Sequence, residues 1–158
     1  MTAMSPSAPV DRWSTAWPAV TVAAGLAVAL QLWGLYAPHP PPAVELFPGA
    51  DKVLHGIGFG VPVTLVMLAD TLHRRSRGLR PRARVLVAAI WVFAAHAVVS
   101  ELIQGAFYVD RSGDSLDLLA DWSGIAIAAV LTGLGIGLRQ HERYRRTGLP
   151  RDRVPGHG

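Results

Sequence analysis

Residues 101–122 read ELIQGAFYVDRSGDSLDLLADW. The left end closes an apolar run long enough to cross a membrane, and the right end opens another. Glu101, Asp117 and Asp121 stand at or just inside these two runs, with Arg111 between them. Charge at membrane depth is costly, so ionisable side chains there turn into a protein interior and pair. Three carboxylates at the adjoining ends of two spans therefore predict a bundle with a polar interior at one end.

Four apolar runs organise the chain: Trp17–Tyr36, Val53–Leu72, Val85–Tyr108 and Leu116–Leu138. Each has roughly the 20 residues a helical span needs. None alternates with period 2 as barrel strands do, and only helices or closed barrels satisfy their backbone in lipid. The expected fold is all-α, an integral membrane four-helix bundle. The first run carries Trp and Tyr at both ends, where amphipathic rings favour the interface. It is long for a signal-peptide core and no small-x-small cleavage site follows it, so it reads as an uncleaved anchor. The organisation is then a disordered segment over 1–16, a transmembrane domain over 17–138 and a basic tail over 139–158.

Composition agrees. Of the 158 residues 51% are hydrophobic and 16% charged, against about 25% charged in soluble domains. There is no cysteine, which excludes disulfides, thiolate metal sites and cysteine catalysis. The net charge is +4, and its placement decides what it means. The connection HRRSRGLRPRAR (73–84) holds Arg74, Arg75, Arg77, Arg80, Arg82 and Arg84 with no acid, and the tail holds six more arginines. The other two connections hold one basic residue each, Lys52 and Arg111. The positive-inside rule puts the 73–84 connection and both termini in the cytoplasm. Positive charge used this way meets anionic lipid headgroups, and no nucleic-acid partner is expected. The expected surroundings are a lipid bilayer, and the expected location is a bacterial inner membrane, crossed several times.

The opposite helix ends gather the polar residues. Asp51, Lys52 and His55 open the second span, Glu101 and Gln104 close the third, and Arg111, Asp114, Asp117 and Asp121 precede or open the fourth. Asp51 and His55 are i,i+4, as are Asp117 and Asp121, while Glu101 and Gln104 are i,i+3, so each pair projects from one side of its helix. Asp51, Lys52, His55, Glu101, Gln104, Arg111, Asp117 and Asp121 are the expected binding site, with His55, Glu101 and Asp117 as acid–base candidates. Asp117 is expected to pair with Arg111, and Asp121, a turn deeper, to be held protonated by desolvation. His96 lies about 140° around its helix from Glu101 and is expected outside the site, as a hydrogen-bonded packing residue. His55 with three carboxylates contains ligand types, but neither H-E-x-x-H nor H-x-x-E-H spacing occurs, so no metal site is expected. No motif marks a cofactor. Gly56 and Gly60 form a GxxxG, and Ala120, Gly124, Ala128 and Thr132 form a small-residue stripe. Both suit close helix packing. Pro62 falls inside the second span, where a kink that frees a carbonyl inside the bundle is expected.

PGADKVLH (48–55) is similar to the Asp-Lys-x-x-His motif of the VanZ-like membrane proteins, and Glu101-x-x-Gln104, Arg111, Asp117 and Gly124 resemble that family's E-x-x-Q…R…D-x-x-x-N-x-x-G. The family's usual asparagine is Asp121 here. The resemblance covers most of the chain after residue 17. It implies a bacterial plasma-membrane protein linked to teicoplanin-type glycopeptide resistance, without implying a reaction. Two function classes are open. One is a protein that binds an amphiphile at the outer surface, such as a wall-precursor lipid or a lipopeptide, with Lys52 and Arg111 on anionic groups. The other is an intramembrane enzyme using a Glu/Asp/His/Arg cluster. A purely structural polar network is the third reading.

The topology is directly measurable in this cysteine-free chain. Single cysteines at Pro42 or Gly113 will react with an impermeant thiol reagent in whole cells, and cysteines at Gly78 or Gly148 only after lysis. The reverse pattern would invert the orientation.

Overall fold

In the computed structural model, residues 15–37, 47–108 and 114–147 are described, with side chains up to residue 136. They form four helices, α1 (Trp17–Tyr36), α2 (Ala50–Ser76), α3 (Ala83–Phe107) and α4 (Ser115–Thr147). No strand occurs among the described residues. The helices run alternately up and down. Tyr108 at the end of α3 donates its hydroxyl to the Tyr36 carbonyl at the end of α1 (2.7 Å). At the other end of the bundle Trp17, which opens α1, meets the His73 ring near the end of α2 at 4.6 Å.

All four helices are long and apolar enough to cross a membrane, α4 over Ser115–Ile136. Large apolar side chains such as Leu26, Trp91, Leu102 and Val130 are exposed on the outside of the bundle. In water such a surface would aggregate; in lipid it is ordinary. The chain has the make-up of a multi-pass membrane protein.

The interior is narrow. Phe59, Val63 and Met67 on α2, Ile125 and Ala128 on α4, Ala97 on α3 and Leu35 on α1 form one cluster. On α2 the i,i+4 spacing of Phe59, Val63 and Met67 makes one inward stripe. The principal interface is α2 against α4, with α1 on α2 and α3 on α4. At this interface the backbones nearly touch. A Cβ at Gly60 would sit 3.0 Å from the Gly124 carbonyl oxygen, one at Gly56 would sit 3.3 Å from the Ala120 carbonyl oxygen, and one at Gly124 would collide with the Gly56 carbonyl. The GxxxG of α2 and the small-residue stripe of α4, expected to serve packing, are thus each other's partners. Lipid is as apolar as leucine, so close van der Waals contact has to replace the hydrophobic drive.

Helix ends position the polar residues. Phe47-Pro48-Gly49-Ala50 is a turn in which the Ala50 N–H donates to the Phe47 carbonyl (3.0 Å). Gly49 stands at φ 83°, ψ 11°, the third-position geometry of a type II turn that favours glycine after proline. This turn launches α2 and fixes where Asp51, Lys52 and His55 begin. At the far end, α4 runs on to Thr147, past the expected stop at Leu138. No proline or helix-ending glycine intervenes before Gly148-Leu149-Pro150. Arginines in the last turns also suit the negative end of the helix dipole. Pro62 is accommodated within an uninterrupted α2 and is buried. The N-terminal segment and the proline-rich connection 38–46 lie outside the described residues.

Gly124→Ala will force α2 and α4 apart. Net of a helix-propensity gain of about 0.5–1 kcal/mol, the overpacking will destabilise the protein by about 1–3 kcal/mol. Gly133→Ala, with no atom within 4 Å of its added Cβ, will leave stability unchanged or raise it. Thermal melts of the two variants in the same detergent check this contrast.

Candidate functional site

The end of the bundle where α1 and α3 stop and α2 and α4 start carries a polar cluster. Its position follows from the α2–α4 crossing: His55 precedes Gly56, and Asp121 follows Ala120. The tight crossing therefore brings an imidazole and a carboxylate from different helices together, with His55 Nδ1 3.0 Å from Asp121 Oδ1. Asp121 is completely buried. Asp117, one turn nearer the helix start, keeps 17% of its side chain exposed and puts Oδ2 3.8 Å from His55 Nε2. The expectation that Asp121 lies deeper than Asp117 holds.

Lys52, a turn before His55, is enclosed by acids. Its Nζ lies 2.9 Å from Asp51, 2.6 Å from Asp114 and 2.6 Å from Asp117. Asp51 is exposed at the rim, while Lys52 is partly buried. Asp51, Lys52 and Asp117, expected together in one site, form one ion cluster with Asp114, and Asp117 is paired with Lys52. Arg111, its expected partner, lies outside the described residues.

Asp114 is the joint that the expected site omits. Its Oδ1 accepts the Leu116 N–H (2.8 Å) and its carbonyl accepts from Asp117 and Leu118, so it caps α4. Its own N–H donates to Glu101 Oε2 on α3 (2.9 Å), and its Oδ2 accepts from Lys52 on α2. One residue ties three helices together. The hydrogen bond from Lys52 holds the Asp114 carboxyl below its ordinary range. A sequence signal existed: an aspartate immediately before the apolar period of α4 is a preferred N-cap.

Glu101 and Gln104 are both buried on the inward face of α3, yet they diverge in role. Gln104 donates its amide to the Leu35 carbonyl at the end of α1 (3.2 Å), so it is a strut between α3 and α1. Glu101 turns toward α4, and its donor atoms lie within 4.8 Å of those of His55 and Asp121. His96 is outside this group, as expected from the helix angle. It packs against the rings of Tyr36 and Phe59 at 5.9 and 5.8 Å. Its Nε2 is buried without a hydrogen-bond partner among the described residues, so the hydrogen bond expected of it is not seen there. Gln31 on α1 is a buried polar residue that the span pattern did not single out.

Comparison of the chain with family models, curated proteins and solved structures yields no match. The geometry itself has to indicate the chemistry. Five carboxylates, those of Asp51, Glu101, Asp114, Asp117 and Asp121, share one ammonium and one imidazole among the described residues. Such a cluster can bind cations, accept hydrogen bonds or move a proton.

Asp114 offers a separable test. Asparagine keeps the cap and removes the charge. Because the folded carboxyl titrates below its unfolded value of about 3.9, its ion-pair contribution is complete above that value and is lost as pH falls through the folded one. The melting temperature of the wild type will therefore fall more steeply than that of Asp114→Asn on acidification from about pH 6 to 3. At neutral pH Asp114→Ala will melt below Asp114→Asn by about 2–4 °C, because it also loses the cap.

Proposed function

We propose that this chain is a bacterial plasma-membrane protein of the VanZ-like type, linked to glycopeptide resistance, whose polar end faces the outer surface and binds the headgroup of an amphiphile there. The arginine-rich α2–α3 connection supports that orientation. The observation that carries the reading is the convergence of His55, Glu101, Asp117 and Asp121 from three helices at one end of the bundle. A bundle that needed only stability would be served as well by apolar packing at these positions.

The cluster also reassigns what recognises the ligand. Lys52 is already held by three carboxylates, so it is poorly placed to grip an anionic headgroup. Among the described residues recognition falls to the carboxylates and His55, which suit hydrogen-bond-donating or amine-bearing headgroups such as those of amino sugars and peptides, while Arg111 keeps its expected role toward an anionic group. A lipid-linked wall precursor or a lipopeptide fits this chemistry.

One observation favours a second reading, an intramembrane acid–base enzyme. Asp121 orients the His55 ring from a fully buried position, as carboxylates orient catalytic imidazoles. Ser100, the buried hydroxyl on α3, donates to the Ala97 carbonyl (2.8 Å). Such an enzyme would activate water or a substrate hydroxyl.

Lipids retained by the protein purified in nanodiscs will be identified by mass spectrometry for the wild type and Asp117→Asn. The proposal predicts enrichment of one amphiphile class over the bulk membrane in the wild type. Loss of a hydrogen bond to a charged group is worth about 1.5–3 kcal/mol, so Asp117→Asn will lower that enrichment roughly tenfold or more. Retained lipid matching bulk composition in both proteins would refute the reading.

A further inference from the structure

We propose that His55, Glu101 and Asp121 form a binding site for one divalent transition-metal cation of the zinc class, held between α2, α3 and α4. The inference stands apart from the amphiphile reading, because it rests on the donor atoms alone.

The three side chains offer one nitrogen and two carboxylate oxygens within 4.8 Å of one another. Both carboxylates are buried, Glu101 at 7% exposure and Asp121 at 0%. Glu101 is anchored by Oε2, which accepts from the Asp114 N–H, and Asp121 Oδ1 lies 3.0 Å from His55 Nδ1, a spacing two ligands of one zinc ion would have. The second oxygen of each, Glu101 Oε1 and Asp121 Oδ2, is buried without a hydrogen-bond partner among the described residues. Native proteins rarely leave buried acceptors unsatisfied, and a bound cation is a recognised way of satisfying them. Lys52 does not answer this need, since three other carboxylates hold it.

The donor set selects the class of cation. Ligand bonds of about 2.0–2.2 Å put two donors on one zinc ion roughly 3–4 Å apart, so the observed spread closes with side-chain shifts of less than about 1 Å. Two carboxylates and a neutral imidazole balance a charge of 2+. The imidazole disfavours magnesium and calcium, which take oxygen ligands in larger number. Second contacts are in place as well. The Asp114 N–H orients Glu101. Asp117 Oδ2, 3.8 Å from His55 Nε2, stands where a carboxylate steadies a histidine that ligates through its other nitrogen. Three protein ligands leave a coordination position for water or a ligand oxygen. The site has no linear signature because its ligands come one from each of three helices.

The test uses the full chain purified in nanodiscs without chelator. Metal content is read by plasma mass spectrometry, and melting temperature is followed against added zinc. The expected result is close to one zinc per chain after loading, with a melting temperature that rises with zinc. Glu101→Gln and Asp121→Asn will each weaken zinc binding by more than about tenfold and abolish the thermal shift. His73→Ala, which removes an imidazole at the other end of the bundle, will bind as the wild type does. Cobalt loading adds a readout independent of stability, a visible absorption band that both acidic variants lose. The proposal is overturned if the wild type neither retains zinc nor shifts its melting temperature. It is equally overturned if Asp121→Asn binds zinc as the wild type does, the result expected of carboxyls that share a proton. If neither acidic variant folds, the wild-type stoichiometry and thermal shift decide.

Discussion

The close crossing of α2 on α4 is the constraint on which the rest depends. Gly56 and Gly60 face Ala120 and Gly124 with backbone almost against backbone. This contact supplies the packing that lipid cannot drive, and it sets the register between the helices. Because His55 adjoins one side of the crossing and Asp121 the other, a side chain larger than glycine would separate the pair it brings together. Packing and chemistry here have one cause.

The polar end follows its own logic. Lipid removes water from the competition, so a charge must be paired or moved out. Lys52 does the first, and Asp114 converts the pairing into architecture by capping α4, bonding Glu101 of α3 and accepting from Lys52 of α2. Gln104 on Leu35 and Tyr108 on Tyr36 add α1 to the same end. Carboxyl groups outnumber cationic ones in this cluster among the described residues, and those of Glu101 and Asp121 are buried. Among the described residues its one lysine is already occupied.

The span pattern was legible because a run of about 20 apolar residues has few alternatives in a chain with so little charge. The inward faces were legible too, since i,i+4 spacing makes Asp117 and Asp121 one side of α4. What the pattern could not supply was pairing across helices. Asp117 reads as the partner of Arg111, which lies outside the described residues, and the pattern did not name Lys52, which reaches Asp117 from α2. The spacing that puts Gln104 on the face of Glu101 did not show that its amide donates to the Leu35 carbonyl on α1. The metal-type grouping escapes any linear motif because it has one ligand per helix. Asp114 was within reach, since its N-cap position was visible in the sequence.

Whether the glycine crossing creates the polar site can be measured by a double-mutant cycle on unfolding stability. The cycle pairs His55→Gln with Asp121→Asn, in the wild-type background and again with Gly124→Ala. If the crossing sets the pair, the two residues will couple by about 0.5–3 kcal/mol in the wild type. The coupling will fall toward zero once the added methyl group separates the helices. A coupling of the same size in both backgrounds, or none in the wild type, would contradict a site built by the crossing.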